Sequence, residues 1–392
     1  MNTDTVKGFK DFTGEEARKR EKVRKILVET FEKYSFEPAE TPIIEYEEFV
    51  RGQNQNDEAV SEIFKLKDRG KRKLALRYEF TFQLKRIAQG KKLPYKRYQI
   101  GPVFRDEPVS ENRFRQFTQC DVDTIGSTIK DEAEILALTS EILKSIGISP
   151  LILINNRKLM DEILSDNGIS EKNKTQVLRE IDKYDKLPES QVRELLRNLD
   201  AENVLDSLKK GEKYFSQFQT YKKIISLMEY CKAYGLKVNF APSIVRGLSY
   251  YNGSVFEIKA NGVKESLVAG GSYKVGEVQA TGLSFGLERI CKITKLEKSE
   301  DKFLIVSLDQ DRQAINLLNK LRTQGKTTSI FYGKPSKALE YANSCKINNV
   351  IFVGAKEVKA KKFKVKDMKT GRQKTLVIQK VTKKNVLMKK KG

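Results

Sequence analysis

Two different strand patterns run along this chain, and no single sheet accommodates both. Residues 61–126 read as consecutive extended segments, EIFKLKD, KLALRYEF, RYQIGPVFRDE and RFRQFTQCDVDTIG. The last two flank a polar loop at 106–112, which predicts a long hairpin. From Lys302 onward, FLIVSL, TSIFY, VIFVG and FKVKD alternate with helix-period stretches at 311–324 and 336–345, the pattern of a small α/β unit. Between these regions, 155–238 carries helical periods rich in charge, such as TQVLREIDKYDK and ESQVRELLRNLD, and predicts a helical insertion. A chain of 392 residues exceeds what one core usually serves. The expected class is α+β: an antiparallel-sheet domain at 1–154 and 239–298, a helical insertion at 155–238, and an α/β domain at 301–392 with a basic tail. The linker is expected near 295–301.

Local signals fill in this frame. Thr13-Gly-Glu-Glu16 fits a capping box ahead of a helix that carries Val23, Ile26, Leu27, Phe31 and Tyr34 and ends near Ser35. A second helix is expected over 131–145, with a short strand at 148–154. Strand character returns in YYNGSVFEIKA, the pair Gly270-Gly271 and TGLSFGLERICKI.

The sequence contains no histidine. Ser-His-Asp and Cys-His catalysis, histidine-ligated metals and an imidazole general base are thereby excluded. Cys120, Cys231, Cys291 and Cys345 are far apart with no CxxC pair, so reduced thiols are expected rather than a zinc ribbon or a disulfide framework. No run approaches the roughly 20 apolar residues that span a bilayer, and MNTDTVKGFKDF lacks the apolar core of a secretory signal; a cytoplasmic protein with no membrane association is expected. The net charge is +23, of which residues 355–392 supply +13. Such a basic end suits a polyanionic partner, nucleic acid above all.

Arginine is the residue type left to carry chemistry. Arg105 ends an apolar strand beside Asp106 and Glu107, and Arg113 and Arg115 occupy alternate positions on the expected return strand, facing one side of the sheet. Arg246 precedes Gly247, and Arg289 follows Gly282 and Gly286 in GLSFGLER. Guanidinium groups on a glycine-bearing sheet suit a polyphosphate, which they grip bidentately. Neither G-x-x-x-x-G-K-[ST] nor G-x-G-x-x-G occurs, so P-loop and dinucleotide folds have no support.

These segments carry a resemblance. KGFKDF at 7–12, ETPIIE, LRYEFT at 76–81, KRYQIGPVFRDE with RFRQFTQCDVD, RGLSYYNGSVFE and GLSFGLER at 282–289 together resemble the histidyl-tRNA synthetases, class II aminoacyl-tRNA synthetases, over nearly the full length. RGLSYYNGSVFE is the most specific piece, similar to that family's histidine-recognition segment. The chain departs from the family's usual RGLDYY at Ser249 and from its usual GGRYD in Gly270-Gly271-Ser272-Tyr273-Lys274.

The resemblance implies a class II antiparallel-sheet catalytic domain with a helical insertion, a C-terminal α/β anticodon-binding domain and a homodimer. It implies activation of L-histidine with ATP and Mg²⁺, followed by transfer to tRNA(His). By residue, it implies that Arg105 and Arg246 act at the ATP α-phosphate, with Arg105 also at the substrate carboxylate. Glu107 and Phe117 would hold and stack the adenine, and Arg113 and Arg289 would reach other parts of ATP. Glu79 and Thr81, with Phe80 between them, and Gln119 would surround the α-amino group; Asp123 and Tyr250, with Tyr251 beside them, would meet the imidazole. The basic tail would contact the tRNA backbone, and loop residues 108–112 would approach its acceptor end. The same resemblance admits a regulatory relative that binds histidine or tRNA without charging, against which the α/β segment at 301–392 argues.

Overall fold

The computed structural model describes residues 1–52, 58–110, 113–184, 187–245, 250–263, 265–295 and 301–376. The chain divides into two compact units, 1–296 and 297–392.

In the first unit the chain runs through α1 (Gly14–Lys33), β1 (Glu37–Pro38), β2 (Ile44–Tyr46), α2 (Glu47–Arg51), α3 (Glu58–Ser61), β3 (Lys65–Lys67), β4 (Lys73–Leu76) and α4 (Leu84–Ile87). It continues through β5 (Tyr95–Phe104), β6 (Gln116–Ile125), α5 (Ile129–Ser145) and β7 (Pro150–Asn156). Six helices follow: α6 (Arg157–Asp166), α7 (Glu171–Ile181), α8 (Glu189–Arg197), α9 (Asn203–Leu208), α10 (Glu212–Phe215) and α11 (Tyr221–Ala233). The unit closes with β8 (Val238–Phe240), β9 (Ser254–Ala260), β10 (Val268–Val275), β11 (Val278–Gly286) and α12 (Leu287–Ile293).

Eight of these strands form one sheet in the order β1-β5-β6-β11-β10-β9-β7-β8. Its interior pairs are antiparallel, and only the outermost strands β1 and β8 pair parallel to their neighbours. One face is apolar. Cys120, Val122, Leu283, Phe285, Phe256 and Ile258 pack there against Val23, Leu27 and Phe31 of α1 and against Ile135, Leu138 and Ile142 of α5. On α1 these three positions recur at i, i+4 and i+8, one stripe of a 3.6-residue period. The expected helical insertion is real helix, and it joins this same core: Leu159, Ile163, Val177, Leu196, Ile224 and Leu227 belong to it. A separate three-stranded sheet, β2-β4-β3, lies beside the large one in sequence.

The second unit holds β12 (Lys302–Ser307), α13 (Asp311–Thr323), β13 (Thr327–Tyr332), α14 (Pro335–Ser344), β14 (Asn349–Val353), α15 (Ala355–Ala360), β15 (Lys364–Asp367) and β16 (Gln373–Thr375). The order is β13-β12-β14-β15-β16, parallel across the first three strands and antiparallel across the last two. Phe303 and Ile305 pack with α13, while Leu304 and Val306 pack with α14. Helices therefore cover both faces, which is why β12 reads as an unbroken apolar run.

Three local expectations need correction. The capping box at Thr13 does not form: its side chain makes no cap hydrogen bond, because Glu16 is held by Lys10 at 2.8 Å. A complete box stands instead at Thr128, where Asp131 Oδ2 accepts from the Thr128 amide at 2.8 Å. The extended segment KLALRYEF ends as a strand at Leu76 and turns toward α4, which sequence periodicity did not reveal. Arg113 and Arg115 precede the return strand rather than lying on it, since pairing with β5 begins at Gln116; Arg113 bridges only Ser110.

The two caps separate in a stability measurement. Thr128→Ala should lower the free energy of urea unfolding by about 1 kcal/mol, and Thr13→Ala should leave it nearly unchanged. Equal losses would contradict the assignment of the box to α5.

Candidate active site

The opposite face of the large sheet is polar, and strand register decides what it carries. Arg97 lies opposite Asp123, Gln99 opposite Asp121, and Gly101 opposite Gln119 on β5 and β6. Across β6 on its other side, Gly282, Ser284 and Gly286 of β11 lie opposite Asp123, Asp121 and Gln119. Since alternate residues of a strand share a face, all of these project to the side away from α1 and α5. Glycine is required twice here. A Cβ on Gly282 would lie 2.0 Å from Asp123 Oδ1, and one on Gly271 would lie 2.4 Å from the Ser254 carbonyl oxygen and 2.9 Å from the Tyr251 ring.

At the centre of the floor is a buried charge pair. Arg97 has no solvent exposure, and its Nη2 lies 2.9 Å from Asp123 Oδ2 and 3.5 Å from the Phe80 carbonyl oxygen. The Tyr273 hydroxyl donates to Asp123 Oδ1. Burial pushes the Asp123 carboxyl up, while Arg97 and the Tyr273 hydrogen bond pull it down. Asp121, two residues away on the same face, is pushed up to about 7 by burial and by the Asp123 charge, against the pull of Arg97, Ser284 and Arg105. Gln119 Nε2 donates to Ser284 Oγ at 2.7 Å.

Most of the residues expected from sequence gather around this floor. Glu79, Gln119, Asp123 and Tyr251 are buried. The Tyr250 ring lies tilted 4.9 Å from Tyr251 and edge-on 5.7 Å from Tyr273, and its hydroxyl donates to Glu79 Oε2 at 3.4 Å. Burial and the Glu79 charge hold that hydroxyl well above the ordinary tyrosine range, with a hydrogen bond to Thr81 opposing them. Tyr250 thus meets Glu79, and the tyrosine that meets Asp123 is Tyr273. Phe80 is completely buried, with the Arg77 guanidinium over its ring at 4.7 Å. A second cluster stands at the hairpin end. Arg105 Nε donates to the Tyr78 carbonyl at 3.2 Å, and its guanidinium lies over the Phe117 ring at 5.2 Å. Glu107 and Arg113 are 3.6 Å apart, with Arg113 exposed. Arg289, also exposed, donates to the Ser266 carbonyl at 3.1 Å. Arg246 and Ser249 lie outside the described residues.

Sequence reasoning passed over Arg97, Asp121 and Tyr273. Lys96-Arg97 reads as a surface basic pair, and only the pairing of β5 with β6 turns Arg97 inward. Glu288 was also missed. It pairs with Arg20 at 2.9 Å and accepts the Thr118 amide at 3.1 Å, which ties the start of α12 to β6 next to Arg289.

Among the described residues there is no group of three or more carboxylate, thiol or imidazole side chains placed to hold a metal, and no helix is long and apolar enough to cross a membrane.

Comparison with known proteins agrees with this architecture. The family profile for histidyl-tRNA synthetase matches residues 8–290, and that for the anticodon binding domain matches 302–386. Histidine–tRNA ligase 2 of Shouchella clausii is 32% identical, covering 93% of this chain and 96% of its own. Histidine–tRNA ligase of Wolinella succinogenes is 33% identical, covering 95% of each. The crystal structure of histidyl-tRNA synthetase from Nostoc sp. PCC 7120 has the same fold, with a TM-score of 0.83, 23% identity, and coverage of 96% of this chain and 97% of that one.

The raised Asp121 carboxyl makes stability depend on pH. A carboxyl whose folded value lies above its unfolded value of about 3.9 binds its proton more tightly when folded, so stability falls as pH rises from there to about 7 and then levels. Asp121→Asn removes this loss. Its melting temperature should gain on the parent protein between pH 5 and pH 8; a pH-independent difference would contradict the assignment.

Proposed function

The chain belongs to the histidyl-tRNA synthetase family, and from that premise we propose how its residues divide the work of activating L-histidine with ATP and transferring it to tRNA(His). In the first half-reaction a carboxylate oxygen of histidine bonds to the α-phosphorus of ATP as the bond to the pyrophosphate oxygen breaks. A carboxylate is already ionised at neutral pH and needs no base, so positioning and charge neutralisation supply the rate. A chain without histidine can therefore catalyse it.

The observation that carries this reading is the pairing of two clusters on one sheet, a phosphate-gripping one at the hairpin end and a buried polar one on the floor. Arg105, anchored by Tyr78 and laid over Phe117, contacts the α-phosphate and the substrate carboxylate. Arg246 is assigned the opposite side of the same phosphate. Phe117 stacks the adenine and Glu107 accepts from its amino group, while Arg113 leaves Glu107 to reach the polyphosphate with Arg289. On the floor, Glu79, Thr81 and Gln119 surround the α-ammonium group. Asp123 accepts from the imidazole, with Tyr250 and Tyr251 enclosing the ring. Leaving these buried groups unpaired penalises amino acids without two ring nitrogens. Magnesium arrives with ATP as its complex and neutralises phosphate charge.

The second unit and the basic segment after it are assigned to tRNA, the tail through salt-sensitive backbone contacts. A cytoplasmic location follows from these substrates. A homodimer is supported by β2, whose alternation is inverted: Ile44 and Tyr46 are exposed by 50% and 52%, while Glu45 between them is buried and bonded to Gln83 and Arg86 at 2.6 Å. With Ile43 and Leu66 also exposed, the small sheet offers an apolar face that a second copy would cover.

Two outcomes are expected. Amino-acid-dependent ATP–pyrophosphate exchange should proceed with histidine and with none of the other nineteen amino acids. Arg105→Ala and Arg246→Ala should each lower kcat by about 10²–10³; exchange with a different amino acid would overturn the floor assignment. In sedimentation velocity the parent protein should run as a dimer and Ile44→Asp as a monomer, whereas a monomeric parent would remove the dimer.

A further inference from the structure

Arg97 has no part in the division of work above, yet it is the largest side chain in the molecule that is fully buried. It sits directly opposite Asp123 in the β5–β6 register. It forms an ion pair with that carboxylate at 2.9 Å, and its Nε and Nη1 have no hydrogen-bond partner among the described residues. A permanent cation is costly to bury. Structure alone would be served as well by an apolar side chain of similar volume, so the charge itself calls for a use.

The carboxylate it faces is held at Oδ1, while Oδ2 has the Arg97 guanidinium beside it and no hydrogen-bond partner among the described residues. Tyr273 on β10 donates to Oδ1, Gly282 on β11 brings its backbone against the same oxygen, and Asp121 stands on the same strand two residues away. The charged and titratable groups around Asp123 are therefore Arg97, Tyr273 and Asp121. Without Arg97, two carboxyls that are both buried would share one site with no cation, and they could not both ionise.

We propose that Arg97 is a positioning residue for substrate selection, holding Asp123 as a pure hydrogen-bond acceptor and cancelling its charge, so that the pocket takes the neutral imidazole and discriminates against cationic side chains. This rests on the reading that Asp123 meets the imidazole. An ionised carboxylate accepts only, so it takes the ring N–H. Because the Arg97–Asp123 pair is neutral as a whole, a protonated ring or a lysine-like ammonium gains no net charge partner there. The direction in which Arg97 moves both buried carboxyls agrees with this role.

The proton count gives the test. In the parent protein above about pH 7 the complex holds one guanidinium, the Asp123 and Asp121 carboxylates and a neutral ring. Replacing Arg97 by Met leaves these carboxylates and the ring short of one positive charge, which a proton supplies by binding to one of them. Binding of histidine to Arg97→Met should then require uptake of a proton at alkaline pH, and the parent should require none.

The measurement is the KM for histidine and for ATP in pyrophosphate exchange from pH 7.5 to 8.5, above the range in which Asp121 loses its proton. For the parent, KM for histidine should stay flat. For Arg97→Met it should climb toward tenfold per pH unit, while KM for ATP keeps the parent's profile and Arg97→Lys restores the flat one. A KM for histidine in Arg97→Met that rises equally at all pH values would reduce Arg97 to a structural role and overturn the proposal. Asp123→Asn separates this from the underlying reading. If it leaves KM for histidine unchanged, Asp123 does not meet the ring, and that reading falls whatever Arg97 does. If Arg97→Met does not fold, calorimetric titration of the parent with histidine at pH 8, in two buffers of different ionisation enthalpy, decides instead. Zero proton uptake is expected, and uptake near one proton would overturn the proposal.

Discussion

The pairing of β5 with β6 is the constraint on which the rest of the molecule depends. Once Arg97 stands opposite Asp123, alternation assigns every other side chain on these strands. Gln99, Asp121 and Gln119 go to one face, and Cys120 and Val122 go to the other, where they join α1 and α5. A slip of one residue would put two aspartates into an apolar core and expose the valine, which is forbidden by the cost of burying an unpaired charge. The ion pair thus fixes register as well as charge. It is a poor source of stability, since the desolvation of both groups offsets most of their attraction. Its burial on the polar face of β5 and β6 fits the role in recognition proposed above.

The division of the sheet into a dry face and a charged face also explains how a chain without histidine carries out group transfer. General acid–base chemistry would need a group that titrates near neutrality and can reach the substrate. Adenylate formation needs fixed cations around phosphorus, the role proposed above for Arg105 at the end of β5. Arg105 is held by a backbone carbonyl and an aromatic face, so its guanidinium is oriented before substrate arrives. Arg113 is exposed and held only by Glu107 at 3.6 Å, a partner it can leave at small cost.

Much of this was legible from sequence, and the failures have physical causes. Long apolar periods located α1, α5 and α13 and every strand of the parallel part of the second unit, because burial of a continuous stripe overrides local detail. Short-range signals did worse. The Thr13 box failed because Lys10 competes for Glu16, and Arg113 lost its strand position because the hairpin loop extends to Arg115. Phe80 sits in the right motif, but its ring turns under Arg77. Arg97 and Tyr273 were invisible for a deeper reason. A charged residue in a strand reads as solvent-facing, and only its cross-strand neighbour shows that the face it points to is an enclosed floor. The inverted burial of β2 likewise appears only when Gln83 and Arg86 are brought to Glu45.

The same alternation settles where the chain's departures from its family fall. In Gly270-Gly271-Ser272-Tyr273-Lys274, the retained Gly271 and Tyr273 are odd-numbered and face the floor, Gly271 clearing Tyr251 and Tyr273 bonding Asp123. Ser272 points the other way. It is buried and donates to Glu132 of α5, on the helix side of the sheet. Lys274 is exposed and pairs with Glu277 at 3.0 Å. Strand geometry therefore lets this segment vary on its helix side and at its solvent end while the two residues on the floor side, Gly271 and Tyr273, stay in place. Arg97 extends the same logic across β6: it lies on the floor side of its strand, where a change would reach Asp123 at once and so act on recognition rather than on the fold.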